Sequence, residues 1–302
     1  MNVLVVGAGR MGERHLRGLA AAGVATTTVD PRPEASASFA SVEAALAAGR
    51  YDAAILAETA AGRLERFALL AEAGIERILI EKPLEQSRAR THALATAARA
   101  HGVVARVNHF FRALDVFRQL RAGGAPFHLA VTGGAFGLAC NGIHWIDLSL
   151  FLSGDRGGEL LQAELDNQSI ASGRGPAFRD YGGRALFGLA NGSRLYLASA
   201  ATSSAPMHAV LEQPSAQTVF FPGEALALRF ERAPAGTLPA YRYGAEYTRR
   251  EEAALVADDL WRSTERWARG DDRLPDVATS VAAHDLLFDV LETSGEREFP
   301  IT

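Results

Sequence analysis

The run Val3-Leu4-Val5-Val6 enters Gly7-Ala8-Gly9-Arg10-Met11-Gly12 without a break, and a helix-forming stretch over residues 13–22 follows. An apolar strand that delivers three glycines at G-x-G-x-x-G spacing into a helix leaves few folds open. Gly7 permits the tight strand-to-helix turn, Gly9 lets a pyrophosphate approach the backbone, and Gly12 lets the helix lie close on the strand. The unpaired amides of the first helical turn, from Arg10 and Met11 onward, face such an anion, and the helix dipole favours it. A second strand over residues 26–29 ends on Asp30, 18 residues beyond Gly12. That is near the roughly 20 residues at which a carboxylate meets the adenine ribose. Strand, glycine turn, helix, strand and acid in this order specify a dinucleotide site.

The rest of the first third repeats the alternation. Strands are predicted at 3–6, 26–29, 53–57, 78–80 and 103–107, with helices at 12–22, 42–48, 62–73 and 87–100 between them. Such alternation predicts α/β architecture with a doubly wound parallel sheet, a Rossmann domain over residues 1–121. Gly23, Gly49, Gly74 and Gly102 stand where C-terminal caps belong. Beyond Gly123-Gly124-Ala125-Pro126 the pattern changes. A helix over 141–152 is followed by short runs at 164–170, 183–189, 193–200, 209–211, 217–221 and 226–231, and Asn191-Gly192 between two of them signals a hairpin. Residues 122–302 therefore read as an α+β substrate and oligomerisation domain with an open, mainly antiparallel sheet. Two closing helices, over 245–268 and 275–293, are free to pack back on the first domain.

Composition narrows the function. Hydrophobic residues make up 48% and charged residues 22% of the 302, and the net charge of −4 is dispersed. That argues against nucleic acid or an anionic membrane as partner. The single cysteine, Cys140, cannot close an intramolecular disulfide, and no run approaches the ~20 apolar residues of a span, so a cytoplasmic compartment is expected. Asn167-Gln168-Ser169 and Asn191-Gly192-Ser193 are then chance glycosylation matches. No set of metal-ligand residues stands out, and no metal is expected.

Glu81-Lys82-Pro83 closes the strand over 78–80. Proline ends the ladder, so Lys82 emerges at the carboxyl edge of a parallel sheet, where such sheets bind ligands. A lysine there can hydrogen-bond a substrate oxygen and exchange a proton with it; an ordinary exposed loop lysine is the competing reading.

Taken together, GAGRMG, the EKP tripeptide, Gly142-Ile143-His144-Trp145-Ile146-Asp147, Val107-Asn108-His109-Phe110-Phe111-Arg112 and the final Leu274-Pro275…His284 stretch resemble the Gfo/Idh/MocA oxidoreductases nearly end to end. The resemblance implies substrate held between nicotinamide and the open sheet. It also implies reversible oxidation of a secondary alcohol on a sugar, cyclitol or sugar nucleotide. By position, Lys82 matches the lysine that touches the reacting oxygen and His144 the general acid/base, whose unperturbed pKa of ~6.5 suits the task. A packed histidine is the competing reading on so apolar a helix. Asp147, at i+3, can share the His144 face and either orient its ring or only cap a neighbouring loop. Glu81 and Glu58 fall beside the expected nicotinamide, and Asn108, Arg112, Cys140 and Asn141 beside the expected substrate.

Three departures from the family pattern bear on the substrate. Cys140 occupies the place of an aspartate four residues before the histidine, Glu58-Thr59 replaces a Thr-Pro or Ser-Pro pair, and Arg63 replaces a histidine. The Cys-Asn variant looks like a branch associated with surface-polysaccharide sugars. Arg174 and Arg179 would suit a substrate carboxylate or phosphate, although a solvated loop is the simpler reading. Asp30 favours NAD by accepting both ribose hydroxyls and repelling a 2′-phosphate. Arg32, two residues on, offsets that in part, so NADP is the alternative cofactor. The expected protein is an NAD(P)-dependent oxidoreductase on a small carbohydrate, a homo-oligomer through its second sheet. An NAD-retaining lyase or glycosidase working by transient oxidation, and a non-catalytic dinucleotide sensor, are the alternatives.

Overall fold

The computed structural model describes residues 1–121, 125–154, 157–232, 247–253, 260–271 and 273–302. Its first part alternates β1 (Asn2–Val6), α1 (Arg10–Ala21), β2 (Ala25–Val29), α2 (Val42–Ala48), β3 (Ala53–Leu56), α3 (Arg63–Glu72), β4 (Arg77–Ile80), α4 (Arg88–Ala100) and β5 (Val104–Val107). The strands are all parallel in the order β2-β1-β3-β4-β5. Residues on both faces of β1 and β3 are buried, as parallel strands between two helical layers must be. Ser41 and Ser87 cap α2 and α4 by accepting the Ala44 and Arg90 amides. Strand order reverses between β1 and β3, so a crevice opens at their carboxyl ends. Gly49 is extended at φ −167° and not a left-handed cap.

After the short α5 (Asp115–Gln119), β6 (His128–Gly133) leads through a π-helical turn, Leu138–Gly142, into α6 (Ile143–Ser153). Then follow β7 (Gly158–Ala171), β8 (Arg179–Leu189), β9 (Arg194–Ser199), β10 (His208–Gln213), β11 (Ala216–Phe221), β12 (Leu226–Arg232) and β13 (Tyr247–Ala253). They form one sheet, β13-β12-β11-β10-β6-β9-β8-β7, antiparallel except for the β6–β9 pair. Every residue of α6 is buried, the state expected of a helix apolar all round. It packs between the inner face of this sheet and α8 (Val277–Leu291).

Two expectations are corrected. The helix read over 245–268 holds only for α7 (Trp261–Ala268), because residues 247–253 pair with β12 as an edge strand, and residues 245–246 and 254–259 lie outside those described. Thr248-Arg249-Arg250-Glu251-Glu252 has no strand alternation, so pairing overrides local propensity, and the charges suit a sheet edge. β6 is absent from the sequence reading, although it is the strand that joins the two halves of the sheet. The break read at 123–124 lies outside the described residues. α7 lies so close on α1 that a Cβ on Gly18 would come 2.5 Å from the Trp261 carbonyl. Arg88 on α4 forks onto Asp285, Asp289 and Glu292 at 3.1, 2.7 and 3.2 Å.

Candidate active site

The glycine turn is built by close approach. Gly7 has φ +96°, and a Cβ there would lie 2.6 Å from the Glu58 amide nitrogen. A Cβ on Gly12 would lie 1.9 Å from the Gly7 carbonyl oxygen. On Gly9 it would meet only Arg32 Nη2, at 3.4 Å, so this face is an open cradle. Gly9 caps α1 without a side chain, leaving the first-turn amides of Arg10, Met11 and Gly12 without acceptors inside the helix. A pyrophosphate fits that donor set. Asp30 lies at the end of β2 with Oδ2 accepting from the Ala8 amide at 2.9 Å. Arg32 forks onto the same carboxylate, Nε at 2.9 Å and Nη2 at 2.8 Å, and holds its pKa down at about 2. The carboxylate is therefore anionic at every ordinary pH.

Lys82 stands where β4 ends, next to a cis Lys82–Pro83 peptide. The loop carrying it is pinned by two groups the sequence reading did not assign. The buried Arg63 guanidinium donates to the carbonyls of Glu81 (2.5 Å), Pro83, Leu84 (3.3 Å) and Glu58 (2.5 Å). His284 takes its Nδ1 proton to the Ser280 carbonyl at 2.8 Å, which leaves Nε2 to accept the Leu84 amide at 2.9 Å. So the loop around Glu58 and the lysine loop share one buried cation. Lys82 Nζ donates to the Cys140 carbonyl at 2.8 Å and stands 3.9 Å from Cys140 Sγ.

His144 follows one turn later on α6, 4% exposed. Its ring packs against Phe110 and Phe111 at 4.6 and 5.2 Å and against His109 at 5.8 Å. Burial, then the nearby Lys82 charge, hold its pKa well below the usual imidazole range. It is therefore neutral near pH 7. His109, fully buried between His144 and His284, is held down in the same way.

Several predicted residues are placed differently from expectation. The Glu81 carboxylate turns inward, accepting from Asn108 Nδ2 at 2.6 Å and meeting His15 Nε2 at 3.0 Å. Glu81 and Asn108 thus tie α1 to the lysine loop through side chains buried beneath it. Asp147 does not orient His144; it is fully buried against Arg112 at 2.6 Å. Arg112 is accordingly part of the packing under α6, 3% exposed. The Glu58 carboxylate pairs with Arg66 at 3.0 Å, and the backbone of Glu58 is what abuts the glycine turn. Asn141 Nδ2 donates to the Phe136 carbonyl at 2.5 Å. Arg174 donates to Thr302 Oγ1 at 3.0 Å, while Arg179 pairs with Glu296 at 2.9 Å. A recess of about 450 Å³, lined by Arg106, Arg112, Phe151 and Arg273 among others, shares no residue with the glycine turn, Lys82, Cys140 or His144.

A crevice at the strand-order reversal, a glycine cradle with an acid beside it, and a lysine facing a histidine helix define a class: nucleotide-dependent oxidoreductases. Residues 1–109 match the Gfo/Idh/MocA family model, described as an oxidoreductase family with an NAD-binding Rossmann fold. None of the curated proteins matches the sequence. Solved structures share the whole fold. UDP-N-acetylglucosamine 3-dehydrogenase GnnA from Acidithiobacillus ferrooxidans is 22% identical with a TM-score of 0.73, over 97% of this chain and 96% of that one. An oxidoreductase from Agrobacterium radiobacter, in complex with NAD+, L-tartaric acid and magnesium, is 14% identical with a TM-score of 0.76, over 98% and 96%. KijD10, a 3-ketoreductase from Actinomadura kijaniata in complex with TDP-benzene and NADP, is 17% identical with a TM-score of 0.73, over 99% and 98%.

Proposed function

We propose that this protein is an NAD-dependent oxidoreductase that interconverts a secondary alcohol and a ketone on a sugar nucleotide. The observation that carries the reading is the Lys82 ammonium held 2.8 Å from the turn that opens the His144 helix, at the carboxyl edge of the sheet that bears the glycine cradle. Bound nicotinamide supplies hydride exchange with the substrate carbon. The amides of Arg10 to Gly12 would hold its pyrophosphate and Asp30 its adenine ribose, once the exposed Arg32 side chain yields one carboxylate oxygen. Lys82 donates a hydrogen bond to the reacting oxygen and stabilises negative charge developing there. His144, neutral because it is buried, stands ready to accept the hydroxyl proton, the sense that alcohol oxidation requires. Substrate class follows the two neighbours whose names specify a sugar-nucleotide 3-dehydrogenase and a 3-ketoreductase.

The test is a turnover screen of UDP- and TDP-sugars with NAD, followed at 340 nm, the standard absorbance of reduced nicotinamide. Lys82→Met and His144→Ala should each lower kcat about 100-fold or more while leaving NADH affinity intact, as expected of proton-transfer groups. Full turnover in either variant would remove that residue from the mechanism.

The same reading includes a homodimer. A row of Leu186, Tyr196, Ala130, Val210, Val219 and Leu228 crosses the outer face of the second sheet. Among the described residues no element covers it, and a second copy would bury it. A monomeric mass in solution at micromolar concentration would exclude the pairing.

A further inference from the structure

Asp180, on β8, is 8% exposed, and the reading above leaves it without a task. Its Oδ1 accepts from the Ala139 and Tyr181 amides at 2.9 and 2.7 Å, and its Oδ2 from the Cys140 amide at 2.8 Å. Three donors and no acceptor are the surroundings that an ionised carboxylate fits. Burial pushes the carboxyl pKa up, and the three amides and the Lys82 charge oppose that push. The π-helical turn closes directly over it: Gly137 has φ +82°, and a Cβ there would lie 2.0 Å from Asp180 Oδ2.

One residue, Cys140, therefore joins Asp180 to Lys82 through its two flanking peptide groups. The N–H of Cys140 donates to the carboxylate, and the C=O of Cys140 accepts from Lys82 Nζ. The helix itself offers a thiol at position 140, and Asp147 is committed to Arg112. A carboxylate from the sheet thus reaches the turn from outside the helix.

Resting on the oxidoreductase reading, we propose that Asp180 is a positioning residue of the proton-transfer site. It fixes Lys82 by anchoring the backbone of Cys140 on both sides of its Cα and places a compensating negative charge near the ammonium. Asp180 touches no substrate. Its effects are on where Lys82 points and on the electrostatic potential at Cys140.

Cys140 is the chain's single cysteine and reports that potential without any substrate. The experiment is the pH dependence of Cys140 alkylation by iodoacetamide in the wild-type protein and in Asp180→Asn. Loss of the carboxylate charge should move the alkylation midpoint to lower pH, raising the rate below the midpoint roughly three- to tenfold, with the high-pH plateau unchanged. A loosened turn would raise the plateau and leave the midpoint in place, and that result, or no change, overturns the proposal. Lys82→Met should move the midpoint the other way. With a turned-over sugar nucleotide in hand, Asp180→Asn should lower kcat at least about tenfold with KM and NADH affinity held. Failure to find turnover would count against the oxidoreductase reading alone, since the alkylation profile does not depend on it. If Asp180→Asn does not fold, 13C-carboxyl NMR replaces it. The Asp180 resonance must then titrate at higher pH in Lys82→Met than in the wild-type protein, and an unchanged titration overturns the proposal.

Discussion

The glycine cradle and the Lys82–His144 cluster are specified in different ways. The cradle is local. Residues 7–12 contain its turn, its close approaches and its anion donors, and only Asp30 and Glu58 come from neighbouring strands. The cluster is assembled from afar. Lys82 is pinned by Arg63 and His284, His144 is packed by Phe110 and Phe111, and Asp180 holds the turn between them. The difference teaches that the cradle depends on backbone shape, whereas the proposed proton-transfer groups depend on burial. The two should fail under different insults.

The largest expected effect is on the local side. Gly12→Ala places a Cβ 1.9 Å from the Gly7 carbonyl, which helix and strand can relieve only by separating. NADH affinity should fall at least about 100-fold, more than 2.7 kcal/mol, while far-UV circular dichroism changes little. A variant that binds NADH normally would break the comparison.

Acid should strike the other region. His284 has its pKa lowered to about 3, and His109 and His144 are held well below the usual range. The folded chain leaves them neutral while the unfolded chain protonates below ~6.5. Stability is therefore whole above pH ~6.5 and is lost as pH falls toward 3. Each histidine contributes about 1.4 kcal/mol per pH unit. Asp30 and Glu81, both held down near about 2, lose their contributions only below the unfolded carboxyl range, from pH ~4.5 downward. Denaturant unfolding at pH 7, 6 and 5 should show a steep decline. A flat profile would contradict the buried, neutral histidines. A His284→Gln variant should flatten the slope by about one histidine's share.

A smaller effect sharpens the account of the cradle. Arg32→Ala frees the Asp30 carboxylate of its fork and should shift preference toward NADH over NADPH by roughly three- to tenfold, about the worth of one exposed charge near a 2′-phosphate. Equal affinities before and after would mean that Arg32 meets neither nucleotide.

Legibility followed the same division. The parallel sheet, its strand positions and the cradle were readable because periodicity and glycine spacing are local signals. The second sheet was readable only in part. β6 follows directly on a Gly-Pro-rich break, and β13 carries charges in pairs, so neither advertises itself without its partner strand. In the cluster, Lys82 and His144 could be placed by motif. Glu81, Asn108 and Arg112 were expected to face ligands and instead face one another's neighbours beneath the floor. Nothing in a linear sequence distinguishes the outer from the inner side of a turn. Arg63 was visible as an unusual residue, but its four carbonyl partners come from two separate loops. Asp180 had no signal at all, because its partners are backbone amides, two of them 41 and 40 residues away.

The most direct measurement is a fluorescence titration of the wild-type protein with NADH and with NADPH, reading energy transfer from its three tryptophans. The account predicts saturable NADH binding that is tighter than NADPH binding and is lost in Gly12→Ala. Binding of neither nucleotide, or NADH binding that survives Gly12→Ala, would contradict it.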